Sequence, residues 1–360
     1  MLRIGSTVVR IVLVTAVFAG IVLAIFIGET HRRLTLPIAV SGLDKIVKST
    51  DGSQLSIGHA WHIGRGSSLN KVVRTLSAAG VIESPWALKI YAKLNVKTGI
   101  QAGSYWLEPT DTALTLLDKF NRGEVIVNRL TFPEGWDFAQ WRRHLEAVPQ
   151  FAASRILSDV ELLRSAGLAI KHPEGWFFPD TYRYIGNDSI EDLLTRAHAK
   201  MLSTLEEAWA QRSPDLPYTS SYEALIMASI VEKETGLAQE RAAIAGVFVR
   251  RLRLGMRLQT DPTVIYGMGA QYRGNLRRSD LKRATDYNTY VIRGLPPTPI
   301  AMPSAAAIYA ALHPAPGESL YFVARGDGGH YFSSSLKEHT QAVRKYQIFR
   351  RIKDYTSAPQ

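Results

Sequence analysis

The chain has 360 residues, no cysteine, and 43 Lys and Arg against 32 Asp and Glu, which gives a formal net charge of +11. This length predicts about two domains, and the lack of cysteine excludes disulfide frameworks, thiolate metal sites and cysteine nucleophiles. This positive charge is compatible with binding to nucleic acid, anionic lipid or an acidic wall polymer, and it does not distinguish among these partners.

An apolar run near the N-terminus, Ile11 to Gly28, predicts a transmembrane helix. Its length is close to the shortest that crosses a bilayer core. A cleaved signal peptide and a buried core helix are the alternatives, but the run is longer than a signal peptide's apolar region and no small-x-small cleavage pattern follows it. Basic residues on the two sides nearly balance, and we favour an uncleaved anchor with the bulk of the chain outside.

A small unit is predicted after a linker that spans residues 29–58. From His59 to Gly123, helix caps, apolar spacing and breakers indicate a strand, two helices, a second strand and a further helix. This βααβ order is similar to LysM modules, which bind N-acetylated glycans. A spacer that only holds the rest of the chain off the membrane is the alternative.

A larger mixed α+β region is predicted from Glu124 to about residue 350. Aromatic residues cluster between breakers in HPEGWFFPDTYRY, residues 172–184. Such clusters form either hydrophobic plugs at a domain edge or platforms on which sugar rings stack. Near the end of the region, the strands LYFVAR and HYFSS are predicted to be joined by a GDGG turn.

The segment 220–236, SSYEALIMASIVEKETG, predicts a helix with a Ser220 cap and a Gly236 stop, and it places Glu232 and Glu234 near the C-terminal end. At about 100° per residue, Glu234 falls on the face with the larger apolar residues. Desolvation and the negative end of the helix dipole should both raise the pKa of this carboxyl, so that it can act as a general acid. The alternative is that EKE is solvated charge at a helix end.

Several further stretches occur in the same order as motifs of a known family. They are EGWFFPDTY (174–182), MASIVEKETG (227–236), RLRLGMRLQTDPTVIYGMG (251–269), DYNTYVIRGLPP (286–297), LHP (312–314) and YFVARGDGGHYFS (321–333). Together they resemble the YceG-like family, the membrane-anchored endolytic murein transglycosylases, over residues 60 to 350. One departure is Thr298, where the family pattern GLPPGPI has glycine, and it leaves the conformation of that loop open.

The resemblance implies a non-hydrolytic cut between N-acetylmuramic acid and N-acetylglucosamine inside a glycan strand, with a 1,6-anhydromuramic acid end. The family's catalytic glutamate is the second of its EKET motif, which is Glu234 here. No metal or organic cofactor is implied. The resemblance also implies a bacterial inner membrane location with the catalytic domain on the periplasmic side, and a partnership with penicillin-binding proteins.

Candidate substrate-binding residues come from the same stretches, and each has a structural alternative. Asp261 before proline is a good helix cap, Asn288 suits a turn, tyrosines often pack in cores, and a lone histidine is usually an edge residue. The candidates are Gln259, Thr260, Asp261, Tyr266, Asn288, Tyr290 and His330.

Other functional classes have weaker support. Glu232 or Asp261 as a second carboxylate would make a lysozyme-like hydrolase, and a noncatalytic glycan-binding scaffold would use the same cleft. The basic runs 250–257 and 277–283 suggest nucleic acid, but an anchor with the bulk outside argues against that partner. No metal-ligand spacing, serine elbow or phosphate-binding loop is present.

The predicted fold class is α+β, with an N-terminal transmembrane helix, a small LysM-like βααβ domain and a larger mixed α+β catalytic domain. The predicted boundaries are a short cytoplasmic segment 1–10, a transmembrane helix 11–28, a linker 29–58, a LysM-like domain 59–123, a catalytic domain 124–350 and a C-terminal tail 351–360.

Overall fold

The computed structural model describes residues 2–40, 45–50 and 54–349. The predicted tail 351–360 and parts of the predicted linker lie outside the described residues. The chain divides into two compact units, the first formed by Met1–Asn128 with Arg183–Asp188 and the second by Arg129–Tyr182 with Ser189–Gln360. Helices and strands alternate irregularly in both, so the predicted α+β class is confirmed.

The first unit contains the N-terminal helix and a small antiparallel sheet. Its strands are ordered β1-β2-β3, with His59 opposite Leu107 and Ile63 opposite Gly103. The elements are α1 (Leu2–Leu34), β1 (Lys45–Thr50), β2 (Gln54–Ile63), α2 (Leu69–Ala78), α3 (Pro85–Leu94), β3 (Gly103–Leu107) and α4 (Ala113–Arg122). The predicted strand, helix, helix, strand order is therefore present from β2 to β3, and β1 adds a strand within the segment predicted as a linker.

Helix α1 includes a span, Val9–Leu34, that is long and apolar enough to cross a membrane, and its residues from Val9 to Gly28 are all exposed. The helix continues beyond Gly28, where the sequence predicted its end. Glu29 pairs with Arg32 and Arg33 at 2.8 and 2.9 Å, and this i, i+3 and i+4 spacing stabilises the extra turn. Leu34 then enters the core of the first unit.

Local capping explains how the helices of this unit begin and end. The Ser68 hydroxyl accepts the Lys71 N–H at 3.3 Å to start α2. Gly123, at φ 68°, ends α4 in the left-handed conformation, and a Cβ there would collide with the Gln101 side chain. Between these ends, apolar faces of α2, α3 and α4 pack around Tyr105 of β3, whose ring meets Phe120 edge-on at 4.7 Å.

The second unit is built around one helix, α8. Every residue from Ala224 to Val231 is buried, and α7, α9, α10 and α11 pack against it. Two strands, β4 (Asn128–Thr131) and β5 (Thr181–Tyr184), contain residues of both units. The elements that lie wholly in the second unit are α5 (Phe138–Ala147), α6 (Asp159–Ser165), α7 (Ile190–Ala210), α8 (Ser221–Glu234), α9 (Arg241–Arg253), α10 (Asp261–Met268), α11 (Ala305–Leu312), β6 (Tyr321–Ala324), β7 (His330–Ser333) and α12 (Leu336–Val343). Short 3-10 segments cover Pro149–Ile156, Ala238–Glu240, Gly269–Gln271 and Asp280–Lys282, and a π-helical turn covers Arg344–Phe349.

The predicted helix at 220–236 is confirmed as α8. The Ser220 hydroxyl accepts the Glu223 N–H at 3.3 Å, and the helix ends at Glu234 because Thr235 takes an extended backbone, two residues before the glycine. The predicted β6–β7 hairpin is also confirmed, with Ala324 opposite His330.

Residues 176–178, the centre of the aromatic cluster at 172–184, pack inside the second unit. Phe177 is fully buried, Trp176 stacks on Tyr222 with ring centroids 5.4 Å apart, and the Lys200 ammonium lies 4.6 Å from the Phe178 ring. These contacts fit the hydrophobic plug rather than a platform for sugar rings.

Candidate active site

The last turn of α8 sends three consecutive side chains to three different places. Glu232 turns inward, where its carboxylate accepts hydrogen bonds from the N–H and hydroxyl of Ser304 and lies 3.6 Å from the Arg241 guanidinium. Lys233 donates to the Gly135 carbonyl at 3.1 Å. Glu234 lines an open cleft of about 480 Å³. Only Glu234, of the two predicted acids, therefore lies where a substrate could reach it.

Glu234 is poised between its protonated and ionised forms near neutral pH. Burial raises the pKa of its carboxyl to about 7, and the nearby charge of Asp261 acts in the same direction. A hydrogen bond donated by the Thr260 hydroxyl opposes them by stabilising the carboxylate. A group with this pKa can give a proton and later take one back, which is the requirement for a single acid and base.

Buried threonines hold the segment that carries Thr260. Gln259 has φ 54°, a left-handed conformation that is uncommon outside glycine, and its N–H donates to the Thr289 carbonyl at 3.2 Å. The Thr260 N–H donates to the Thr289 hydroxyl at 3.0 Å, and the Thr263 hydroxyl lies 2.9 Å from the same oxygen. These bonds fix the Thr260 hydroxyl against Glu234.

Asp261 and Tyr290 form a second polar pair beside Glu234. The Tyr290 hydroxyl donates to the Asp261 carboxylate at 2.7 Å, and burial together with that negative charge raises the pKa of Tyr290. Asp261 is the first residue of α10, so the capping position predicted for it belongs to Thr260, whose side chain points to Glu234 instead. The Asp261 carboxylate is exposed at the rim of the cleft.

The opposite wall comes from the β6–β7 hairpin and α12. His330 is buried, and its ring Nδ1 lies 2.7 Å from the Glu240 carboxylate, which also accepts the His330 backbone N–H at 2.9 Å. These two hydrogen bonds to one carboxylate fix the orientation of the imidazole. The cleft is lined by Glu234, Arg251, Leu258, Gln259, Thr260, Asp261, Tyr290, Tyr321, Phe322, Val323, Ala324, His330, Leu336, His339, Val343 and Gln347.

Arg251 holds the two walls in place, a role that its sequence context did not indicate. Its Nε donates to the Leu320 carbonyl at 2.6 Å, and its Nη1 donates to the Leu258 carbonyl at 2.9 Å and the Gln259 side chain at 3.2 Å. The guanidinium also lies 4.9 Å from the Tyr321 ring. Its position in a basic run made it resemble a solvated surface residue.

Two of the predicted binding residues lie outside this cleft. The Asn288 amide donates to the carbonyls of Asp280, Leu281 and Arg283, and its oxygen accepts the Tyr290 N–H, so the side chain is fully engaged in shaping its own loop. Tyr266 donates to Glu174 at 3.0 Å. The remaining candidates, Gln259, Thr260, Asp261, Tyr290 and His330, share the cleft with Glu234.

The loop with Thr298 is accommodated without glycine. In the described part of the chain, positive φ values outside glycine occur at Val96, Asp215 and Gln259 and not at Thr298. The Thr298 hydroxyl lies 2.8 Å from the Tyr287 hydroxyl and donates to the Pro299 carbonyl. The departure from the family pattern therefore adds a hydrogen bond rather than backbone strain.

A second cleft of about 880 Å³ contains a buried acid that the sequence did not single out. Glu174 accepts hydrogen bonds from the Phe138 N–H at the start of α5 and from the Tyr266 hydroxyl. Burial outweighs these bonds and raises the pKa of Glu174 to about 8. Lys233 and Tyr287 also line this cleft. The sequence placed Glu174 between proline and glycine, where it resembled a solvated turn residue.

Replacing Glu174 should change how stability depends on pH. The folded chain holds this proton up to about pH 8, whereas the unfolded chain releases it near pH 4.3, so the wild-type free energy of unfolding falls across that interval. Glu174→Gln removes this contribution, which has a slope of up to about 1.4 kcal/mol per pH unit. Unfolding of the full chain in detergent at pH 5, 6.5 and 8 measures the difference. Parallel pH curves for the two proteins would contradict the assignment.

No metal site accompanies either cleft. Across residues 2–40, 45–50 and 54–349, His, Asp and Glu side chains do not gather in groups of three that could hold an ion. His330 and Glu240 form a hydrogen bond with each other.

The sequence matches known proteins over most of its length. A family model described as the YceG-like family matches residues 61–345. An endolytic murein transglycosylase of Bacillus subtilis (strain 168) is 31% identical over 304 residues, which cover 79% of this chain and 84% of that protein. An endolytic murein transglycosylase of Streptococcus pneumoniae serotype 2 (strain D39) is 28% identical over 320 residues, and the match spans 79% of this chain and 57% of that protein.

A solved structure is also similar. The crystal structure of a YceG-like protein from Listeria monocytogenes is 30% identical, covers 78% of this chain and 98% of that chain, and has a TM-score of 0.49.

Proposed function

Because the chain belongs to the YceG-like family, we propose that it cuts peptidoglycan glycan strands internally as a lytic transglycosylase. The observation that carries this proposal is Glu234, a cleft carboxyl with a pKa near 7 in the segment that matches the family's EKET motif. The names of the relatives in Bacillus and Streptococcus support murein as the substrate and an internal cut as the reaction.

The proposed reaction uses Glu234 twice. Its carboxylic acid protonates the oxygen that leaves C1 of N-acetylmuramic acid. The resulting carboxylate then takes the proton from the C6 hydroxyl of the same sugar while that oxygen closes on C1, which leaves a 1,6-anhydro end. Because the nucleophile belongs to the substrate, the reaction needs no second carboxylate, and the engagement of Glu232 with Ser304 and Arg241 is compatible with this.

The other cleft residues are proposed to hold the strand. Asp261 and Tyr290 offer an acceptor and a donor for sugar hydroxyl or acetamido groups, and Gln259 and His330 extend the polar lining to the opposite wall. Thr260 is proposed to position the Glu234 carboxyl, and Asn288 to position the loop that carries Tyr290. Tyr266 lines the second cleft.

The proposed location follows from α1. We place residues 1–10 in the cytoplasm, the apolar run 11–28 of α1 across the bacterial inner membrane, and the catalytic unit, 124–350, on the periplasmic side. The unit at 59–123 is proposed to be LysM-like because its strands and helices follow the βααβ order. Penicillin-binding proteins are proposed partners, since an enzyme of this kind would act on strands as they are made.

The rate should depend on pH through Glu234. A general acid is active while protonated, so kcat/KM should fall as pH rises through about 7. Asp261→Asn removes a negative charge that raises this pKa, and the fall should therefore move to lower pH, by up to about one unit. Glu318→Gln, an exposed acid outside the cleft, is the matched control and should leave the profile unchanged. An unshifted profile for Asp261→Asn would contradict the coupling.

Product analysis tests the function itself. Purified glycan strands are incubated with the full chain in detergent, and their ends are identified by mass spectrometry. Shorter strands with anhydromuramic ends support the transglycosylase. Shorter strands with reducing ends would instead favour a hydrolase, for which Asp261 is available in the same cleft as Glu234. Intact strands from a folded protein that still binds them would favour a glycan-binding scaffold.

A further inference from the structure

Helix α3 presents a stripe of large apolar side chains that the core of the first unit leaves exposed. Trp86, Ile90 and Leu94 recur every four residues on one face, and Leu94 is 77% exposed. The opposite face, with Leu88 and Ala92, is buried in the core of the unit. The exposed face is therefore not needed to hold α3 in place.

Val96 extends this stripe at a backbone cost. It lies just past the end of α3 with φ 55°, a conformation in which a β-branched residue is strained and glycine is usual. Its side chain is nevertheless 87% exposed. Neither the backbone nor contact with water favours valine here, whereas an apolar environment outside the protein would.

The stripe begins beside the membrane-spanning helix. The Trp86 ring stacks on the Phe26 ring of α1, with centroids 5.5 Å apart and planes 20° apart. Phe26 lies within the apolar run, and the first charged residue, Glu29, follows it by about 4.5 Å along the helix axis. Trp86 therefore sits at the level where the apolar part of α1 gives way to polar residues.

The chemistry of α3 fits that level of a bilayer. Tryptophan concentrates where acyl chains meet headgroups, because its ring is apolar and its N–H is polar. Lys89 and Lys93 lie between the apolar positions, and their long side chains can reach anionic headgroups while the stripe stays in the apolar layer.

We propose that the exposed face of α3, formed by Trp86, Ile90, Leu94 and Val96, lies in the outer interface of the lipid bilayer next to α1. The first unit then touches the membrane at a second place besides its anchor. This inference depends on the proposed membrane location of α1 and not on the transglycosylase reaction.

The cysteine-free chain allows a direct test. Single cysteines replace Ile90, Leu94 or, as an exposed control in α2, Arg74, and each carries a spin label in the full chain within vesicles of phosphatidylethanolamine and phosphatidylglycerol. Collisions with oxygen, which concentrates in lipid, are compared with those of a water-soluble nickel complex. Labels at 90 and 94 should favour oxygen several-fold more than the label at 74.

A fourth label, from Phe18→Cys in α1, separates the possible failures. If the label at position 18 favours oxygen but the labels at 90 and 94 give the same oxygen preference as the label at 74, this proposal is overturned. The stripe would then be assigned to contact with a protein partner absent from the vesicles. If position 18 also matches position 74, the membrane location of α1 fails as well. Neither outcome bears on glycan cleavage.

Discussion

Glu234→Gln is expected to lower the rate of glycan-strand cleavage by roughly 100- to 10,000-fold, the range that general acid and base catalysis contributes. Glutamine keeps the shape of the side chain and can accept the bond from Thr260, but it cannot deliver a proton. Because the wild-type carboxyl is already partly protonated near neutral pH, the neutral substitute should leave stability unchanged or slightly higher. Anhydromuramic ends, counted by mass spectrometry, measure the loss.

Strand binding serves as the control for this variant. Glu234→Gln should bind purified strands as well as the wild type, since the contacts proposed for Asp261, Tyr290 and His330 remain. Cleavage by the variant within about tenfold of the wild-type rate would assign the proton to another group, and Asp261 would be the first to examine.

Glu232→Ala should have a large effect on stability instead of chemistry. The substitution leaves the largely buried Arg241 guanidinium without its carboxylate partner. It also removes the hydrogen-bond acceptor of the Ser304 N–H at the start of α11. Breaking a buried pair in this way costs about 3 kcal/mol, which corresponds to a fall in Tm of roughly 6 to 12 °C for a unit of this size. Thermal unfolding followed by circular dichroism provides the measurement.

The two acids then form a matched pair of variants. The fraction of Glu232→Ala that stays folded should show a kcat close to that of the wild type. Glu234→Gln should instead keep the wild-type Tm and lose most of the cleavage rate. If Glu232→Ala kept its Tm and lost its rate, Glu232 would have to take part in the reaction, and the hydrolase alternative would gain support.

Helices with local signals could be predicted from the sequence. Ser68, Ser220 and Ser304 each accept a backbone N–H three residues later, and that interaction is contained within the segment itself. Strand β1 could not be predicted in this way, because its hydrogen bonds depend on β2 and its own residues show little alternation.

The candidate site was predictable in part. Periodicity placed Glu234 on an apolar side of the predicted helix. Because α8 is buried all round, however, periodicity does not separate Glu234 from Glu232. Their neighbours do, because Ser304 and Arg241 engage one acid and Thr260 faces the other. Thr260 and Ser304 come from distant parts of the chain, as do the groups that bury Glu174, and no local pattern indicates them.

The first unit is formed by two separate segments of the chain, and this affects when it can be completed during synthesis. Its chain is interrupted, since Arg183–Asp188 belong to it although the rest ends at Asn128. Within it the Asn187 side-chain amide donates to the Ile63 carbonyl at 2.9 Å. Ribosomes release the N-terminal part first, so the unit stays incomplete until much of the following segment has been translated. A recombinant fragment that stops at residue 123 would lack this closing contact, whereas one extended through Asp188 would include it.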